Sequence, residues 1–156
     1  MKEKVLVDLD VVTVAKWDNS QNGNLGRKFL LRVENGDFIM ITPYILLDLL
    51  ITWKHSTISN AIKKFYELYS SEIIPVKKLD EKFSEAKINR NELTADMIKH
   101  TIKDEDTILV IIASLFAVNY LVTFNRKHLK NKEEEINNVL QKFKLKAIRI
   151  VLPNEL

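Results

Sequence analysis

Short apolar runs alternate along this chain with longer segments that have helical periodicity. Residues 5–7 and 120–124 are compact apolar runs typical of buried strands, whereas residues 44–53 and 58–69 have the apolar spacing of helices. An alternating order of strands and helices is typical of a parallel sheet with helices on both faces. We therefore predict an α/β fold of three layers, α/β/α, with a central and mainly parallel sheet.

The same patterns predict the other elements and a single domain over residues 1–156, because a chain of this length is expected to bury one core. Residues 19–24 are polar in composition and are predicted to be a loop. The further predicted strands are 38–41, 73–76 and 147–152, and the further predicted helices are 26–33, 78–88, 92–102, 104–118 and 132–143.

Composition excludes several kinds of functional site. The chain has no cysteine, which excludes disulfides, thiolate metal sites and cysteine nucleophiles and leaves oxygen and imidazole as ligands. The longest apolar run, 108–118, is too short to cross a membrane, and the first residues are too short and acidic a stretch for a signal peptide. We therefore expect a cytoplasmic protein without a membrane partner. The net charge of +3 is compatible with a polyanionic partner.

Acidic and amide side chains stand at positions that a parallel sheet would bring together. Asp8 ends the first strand and Asn125 follows the strand at 120–124, so both are expected at the carboxyl edge of the sheet. Asp106 begins the helix that leads into that strand. Asp48 lies within an apolar run, where a carboxylate needs a partner or must leave the core. A hard divalent cation such as Mg²⁺ or Mn²⁺ would be a suitable partner.

Each of these acids also has a structural interpretation. Asp48 lies on a helical stripe with Tyr44 and Thr52 and could face water on a narrow polar seam. Asp104 and Asp106 could cap a helix and complement its dipole. Asp8 could simply form a turn at the end of its strand. The functional interpretation therefore depends on the order and context of the acids together.

Four segments of the chain resemble PIN-domain nucleases, including the VapC-type toxins. The opening strand VLVDLDV at 5–11 is similar to the family's strand with a metal-binding aspartate. In ITPYILLDLL at 41–50, a threonine precedes an acid by six positions, where the family usually has Glu. The segments DEDTIL at 104–109 and YLVTFNRKHL at 120–129 complete the resemblance, and the family often has Asp at the position of Asn125.

The resemblance implies a single PIN-like domain with metal-dependent endoribonuclease activity. Asp8, Asp48 and Asp106 would bind Mg²⁺ or Mn²⁺, and Asn125 would join them in catalysis. The chemistry implied is metal-assisted hydrolysis of RNA, and the partners implied are RNA, an antitoxin protein in a toxin–antitoxin pair, and a second copy in a homodimer. Supporting roles would belong to Asp10, Thr123 and Asp104, with Asp104 the alternative to Asp106, and substrate contacts would belong to Arg126 and Lys127.

Two other functions are compatible with parts of the sequence. The pair Asp8 and Asp10 after an apolar strand also fits the opening motif of haloacid-dehalogenase-like phosphatases. That class needs a later lysine and an acidic pair directly after strands, and here residues 104–106 open a helix instead. The second alternative is a PIN fold with weak or no catalysis that binds RNA or a protein partner, because Asp48 and Asn125 both depart from the family pattern.

Overall fold

The computed structural model describes residues 1–100 and 102–156 of the chain. Its sheet contains five strands in the order β3-β2-β1-β4-β5, and every neighbouring pair is parallel. This arrangement confirms the predicted α/β class with a central parallel sheet. The strands are β1 (Lys4–Val7), β2 (Ile39–Pro43), β3 (Glu72–Ile74), β4 (Tyr120–Val122) and β5 (Arg149–Val151).

Helices connect the strands and cover the sheet. No helix within residues 1–100 and 102–156 is both long and apolar enough to cross a membrane. Residue 101, near the end of the predicted helix 92–102, lies outside the described residues. The helices are α1 (Leu9–Trp17), α2 (Gln21–Glu34), α3 (Tyr44–Ile51), α4 (Ser56–Tyr69), α5 (Val76–Ala86), α6 (Arg90–Lys99), α7 (Asp104–Leu115) and α8 (Glu133–Lys142).

The predicted loop at 19–24 is wrong beyond residue 20, because α2 begins at Gln21. Two glycines explain why a loop-like composition forms a helix. A Cβ on Gly23 would lie 1.7 Å from the carbonyl oxygen of Asp18, and a Cβ on Gly26 would lie 3.1 Å from the Cβ of Ala15. The glycines therefore allow α2 to pack closely against α1 and the turn after it, a tertiary requirement that local composition does not show.

Tyr66 of α4 fixes the end of β1 next to the first predicted site residue. Its ring is buried, and its hydroxyl donates a hydrogen bond of 2.7 Å to the carbonyl oxygen of Val7. Val7 is itself paired with Val122 of β4 and directly precedes Asp8. The hydroxyl therefore ties α4 to the strand end that presents Asp8.

We expect Tyr66→Phe to lower the free energy of unfolding by about 1–3 kcal/mol, because the substitution leaves a buried carbonyl without this donor. Urea denaturation of the wild type and the variant measures the loss. Tyr69→Phe, on the same helix but partly exposed, is the matched control and should change stability much less. Equal losses in the two variants would mean that the buried hydrogen bond does not stabilise the fold more than an exposed hydroxyl does.

Candidate active site

A cavity of about 380 Å³ lies at the carboxyl ends of β1 and β4. Asp8, Asp10 and Asp106 line it together with Asn125, so side chains from three separate segments meet at one place. Parallel strands present functional groups at this edge, and the predicted convergence of Asp8, Asp106 and Asn125 is observed. Leu46 and Leu49 of α3 form part of its apolar lining.

The segment after β4 holds the two acids that follow β1. The hydroxyl of Thr123 donates to Oδ2 of Asp8 at 2.9 Å and lies 3.4 Å from Oδ2 of Asp10. The backbone N–H of Phe124 donates to the same carboxylate of Asp10, at 3.1 Å to Oδ2 and 3.3 Å to Oδ1. The backbone N–H of Asn125 donates to the Thr123 oxygen at 3.0 Å, which fixes the position of that hydroxyl.

Asn125 connects this segment to the third acid. Its side-chain Nδ2 lies 3.4 Å from Oδ2 of Asp106, and its Oδ1 accepts a 3.0 Å hydrogen bond from the backbone N–H of His128. The amide therefore presents a donor to the carboxylate. An aspartate at position 125 would instead place a second negative charge beside Asp106, so the asparagine reduces repulsion within the site.

Burial and mutual repulsion shift the acids toward their neutral forms. Burial, followed by the charge of Asp10, raises the pKa of Asp8 from 3.8 to about 8. Burial also raises the pKa of Asp10 to about 6, although the Phe124 N–H opposes the shift. The pKa of Asp106 is raised by burial as well, although the electrostatic effect of nearby His128 opposes the shift. The three acids together therefore favour either bound protons or a bound cation.

The chemistry of these donors fits Mg²⁺ or Mn²⁺, which prefer carboxylate and amide oxygens. Within the described part of the chain, however, no group of three or more His, Cys, Asp or Glu side chains is arranged so that it could hold a metal ion. Binding an ion would therefore require the side chains of Asp8, Asp10 and Asp106 to close around it. The donor set fits by charge and ligand type, while its present spacing is open.

Asp48, predicted as a metal ligand, does not line this cavity. It is partly buried on α3, about 100° around the helix from Leu49, which does line the cavity. Thr52, one helical turn after Asp48, also contributes to the lining. Asp48 therefore lies next to the cavity-facing side of this segment without being part of that side. Asp48 is therefore not among the residues that line the cavity with Asp8 and Asp106, and we leave it out of the proposed ligand set.

The remaining predicted residues can also be sorted by whether they line the cavity. Asp104, the alternative to Asp106, is exposed and does not line the cavity. Arg126 and Lys127 are exposed directly after Asn125 and also lie outside the lining. Sequence reasoning missed Lys103 and Glu105, which do line it. Both residues lie within three positions of Asp106, so their proximity to that acid was the available signal.

Comparison with solved structures shows a chain of similar fold. No protein-family model matches the chain, and no curated protein matches it. The chain is similar to a chain in the crystal structure of VapBC2 from Rickettsia felis bound to a DNA fragment from their promoter, with a TM-score of 0.57 and 12% identity. The match covers 96% of this chain and 98% of that one. At this identity the likeness shows the fold, and it agrees with the predicted three-layer, PIN-like architecture.

Proposed function

We propose that this chain is a metal-dependent endoribonuclease that hydrolyses RNA phosphodiester bonds in the cavity lined by Asp8, Asp10 and Asp106. The observation that carries the proposal is that these carboxylates, from distant segments, face one cavity at the carboxyl ends of β1 and β4. Their oxygen-only chemistry suits Mg²⁺ or Mn²⁺, which also suit phosphate substrates. The net charge of +3 is compatible with a polyanionic substrate.

The chain's own residues have distinct tasks in this proposal. Asp8, Asp10 and Asp106 would hold the ion, which when bound supplies a water of lowered pKa and offsets negative charge on the phosphate. The Thr123 hydroxyl keeps the Asp8 oxygen in place through its 2.9 Å hydrogen bond. Lys103, which lines the same cavity, can contact a phosphate oxygen of the bound RNA.

The proposed partners follow from the fold likeness and the surface. Arg126 and Lys127 are exposed beside Asn125 and would contact the RNA backbone independently of sequence. The likeness to a chain of VapBC2 supports a role as the toxin of a toxin–antitoxin pair, with an antitoxin as protein partner. The homodimer and the cytoplasmic location remain predictions from the sequence.

The test is cleavage of a single-stranded RNA by the purified chain in Mn²⁺ or Mg²⁺, with excess EDTA as the metal-free condition. We expect internal cleavage only with the metal. The products should lack a 2′,3′-cyclic phosphate, because water rather than the ribose 2′-hydroxyl attacks the phosphorus. Cleavage that persists in EDTA, or that gives cyclic phosphate ends, would contradict the proposed chemistry.

Asp48→Asn tests which acids belong to the site. Because Asp48 does not line the cavity, we expect this variant to keep its cleavage rate within about twofold of the wild type, as for substitutions away from a site. Glu81→Gln, an exposed acid on α5, is the matched control. A loss of activity in Asp48→Asn that is absent from Glu81→Gln would restore Asp48 to the ligand set implied by the family resemblance.

A second candidate is an RNA- or partner-binding module with weak or no catalysis. The open spacing of the acids within the described residues favours it. RNA binding without cleavage in any divalent metal would support this candidate over the nuclease. The phosphatase alternative gains nothing from the structure, because residues 123–125 after β4 carry no carboxylate.

A further inference from the structure

A second cavity, of about 390 Å³, adjoins the first one. Leu49 and Glu105 line both cavities, so the two share a wall. The rest of the second lining comes mainly from α6 and α7, and we call it the α6–α7 cavity. Its polar residues from α6 are Arg90, Asn91 and Thr94. An RNA strand in the first cavity would therefore pass next to a second, differently lined recess.

The α6–α7 cavity combines apolar walls with a polar edge. Ile45, Leu49 and Ile108 supply the apolar part of its lining. The charged residues of its lining are Arg90 and, on α7, Asp104 and Glu105. An unpaired nucleobase has the matching character, since its faces are apolar and its edge carries hydrogen-bond donors and acceptors.

Thr107 of α7 places a buried hydroxyl, without a partner in the described part of the chain, among the lining residues of this cavity. It lines the α6–α7 cavity and is almost fully buried. Among the described residues, its Oγ1 is the buried side-chain polar atom that has no hydrogen-bond partner. A buried hydroxyl without a partner is costly, and each such group in a folded protein needs an explanation. Because this oxygen is shielded from solvent, a polar ligand in the cavity would provide the hydrogen bond once the side chains that cover the oxygen shift.

Arg90 is held in place without exhausting its donors. Its guanidinium lies 5.2 Å from the ring centre of Phe83, and its Nη1 is 3.4 Å from Oδ1 of Asp80 in an exposed ion pair. A guanidinium has five N–H donors, and an exposed pair of this kind is weak. Donors of Arg90 therefore remain to bind a ligand while the ring of Phe83 restrains the side chain.

A cavity with both a cationic and an anionic side chain can distinguish among the four bases. Arginine pairs with the O6 and N7 acceptors of guanine, the commonest specific contact between proteins and bases. The carboxylates of Asp104 and Glu105 can accept hydrogen bonds from the N1–H and 2-amino donors on guanine's other edge. Adenine, cytosine and uracil do not present both of these sets together.

We propose that the α6–α7 cavity binds an unpaired guanine base of the RNA, adjacent to the phosphodiester that is cleaved. The proposal rests on the proposed function for the placement of that phosphodiester. Binding of the base itself depends only on the cavity. The enzyme would then cleave single-stranded RNA preferentially beside guanosine.

The test is NMR titration of the ¹⁵N-labelled chain in EDTA with each of the four ribonucleoside 5′-monophosphates. Since all four carry the same phosphate and ribose, differences between them report the base. We expect guanosine monophosphate to bind at least about tenfold more tightly than the others, the discrimination of one good base contact. Its shift changes should centre on amides of α6 and α7.

Two variants with a control connect the binding to the cavity. We expect Arg90→Gln and Thr107→Val each to weaken guanosine monophosphate binding by about tenfold, the range of one lost base contact. Thr107→Val preserves the shape of the side chain and removes its unpaired hydroxyl, so folding should not suffer. Glu81→Gln, exposed on α5, should leave binding unchanged.

The outcomes separate this proposal from the proposed function. If the chain cleaves RNA but binds the four nucleotides equally, or if the shift changes lie away from α6 and α7, the guanine site is overturned and the nuclease stands. If guanosine monophosphate binds selectively at α6 and α7 but no RNA is cleaved in any metal, the guanine site stands and the proposed function fails.

Discussion

Asp8→Asn is expected to reduce Mn²⁺-dependent RNA cleavage by about 100-fold or more. Asp8 directly follows β1, lines the cavity and receives the Thr123 hydrogen bond, so its carboxylate is held in position to bind the proposed ion. The variant keeps the shape of the side chain but loses its charge. A metal ion contributes several kcal/mol to transition-state stabilisation, and each 1.4 kcal/mol is about tenfold in rate. Single-turnover cleavage at saturating enzyme measures the loss.

Two further variants place this result. Asp106→Asn should show a loss of similar size, because Asp106 faces the same cavity from α7. Asp37→Asn changes an exposed acid before β2 in the same way and should cleave at the wild-type rate. Cleavage by Asp8→Asn at the rate of Asp37→Asn would remove Asp8, and with it the proposed site, from the account.

The metal-free chain is expected to lose stability as the pH rises from about 4 to about 8. Asp8 has its pKa raised from 3.8 to about 8, and Asp10 has its pKa raised to about 6. In this window the folded state binds more protons than the unfolded state, so the free energy of unfolding falls with rising pH. The stabilisation from the neutral acids is therefore complete below pH 4 and lost as the pH passes the folded pKa values.

Asp8→Asn isolates this contribution from the other titrating groups. One unit of pKa shift corresponds to about 1.4 kcal/mol in the free energy of unfolding. Both acids are partly open to the cavity, which reduces the effect, so we expect a change of about 2 kcal/mol. In EDTA, the variant should therefore gain about 4–8 °C in Tm relative to the wild type between pH 5 and pH 8.5. Thermal unfolding at both pH values measures the difference.

Mn²⁺ should reverse the order of the two proteins at pH 8.5. A cation that binds only the folded state raises the Tm of the wild type. Because Asp8→Asn lacks one carboxylate charge at the site, its Tm should not respond to Mn²⁺. Equal Tm changes with pH in both proteins, or equal responses to Mn²⁺, would show that Asp8 does not carry the buried charge.

The sequence predicted the positions of those site residues that lie next to the end of a strand or open the helix before one. Asp8 and Asn125 follow β1 and β4, and Asp106 opens the helix before β4, so chain order alone placed them at one edge. Asp48 lies on α3, whose sequence is apolar on almost every side. The burial of Leu46, rather than the single acid, decides which side of α3 faces the core. Consecutive helical residues point about 100° apart, so the direction of the Asp48 side chain follows from that choice.

Other features required knowledge of the packed chain. The start of α2 depends on the close approach of Gly23 to the carbonyl group of Asp18, in a segment whose composition predicts a loop. The α6–α7 cavity joins Ile45 and Arg90, which are far apart in sequence and have no common motif. The unpartnered hydroxyl of Thr107 is likewise visible only once the burial of α7 is known. Periodicity predicted most of the helices and strands but not α1, while contacts between the elements determined these sites.

The most direct measurement is an anomalous difference map from crystals of the chain soaked in Mn²⁺ and recorded near the manganese absorption edge. We expect a peak in the 380 Å³ cavity, within bonding distance of the carboxylate oxygens of Asp8 and Asp106, and no such peak in crystals of Asp8→Asn. A map with no peak in this cavity, or with Mn²⁺ bound only elsewhere on the chain, would contradict the proposed metal site.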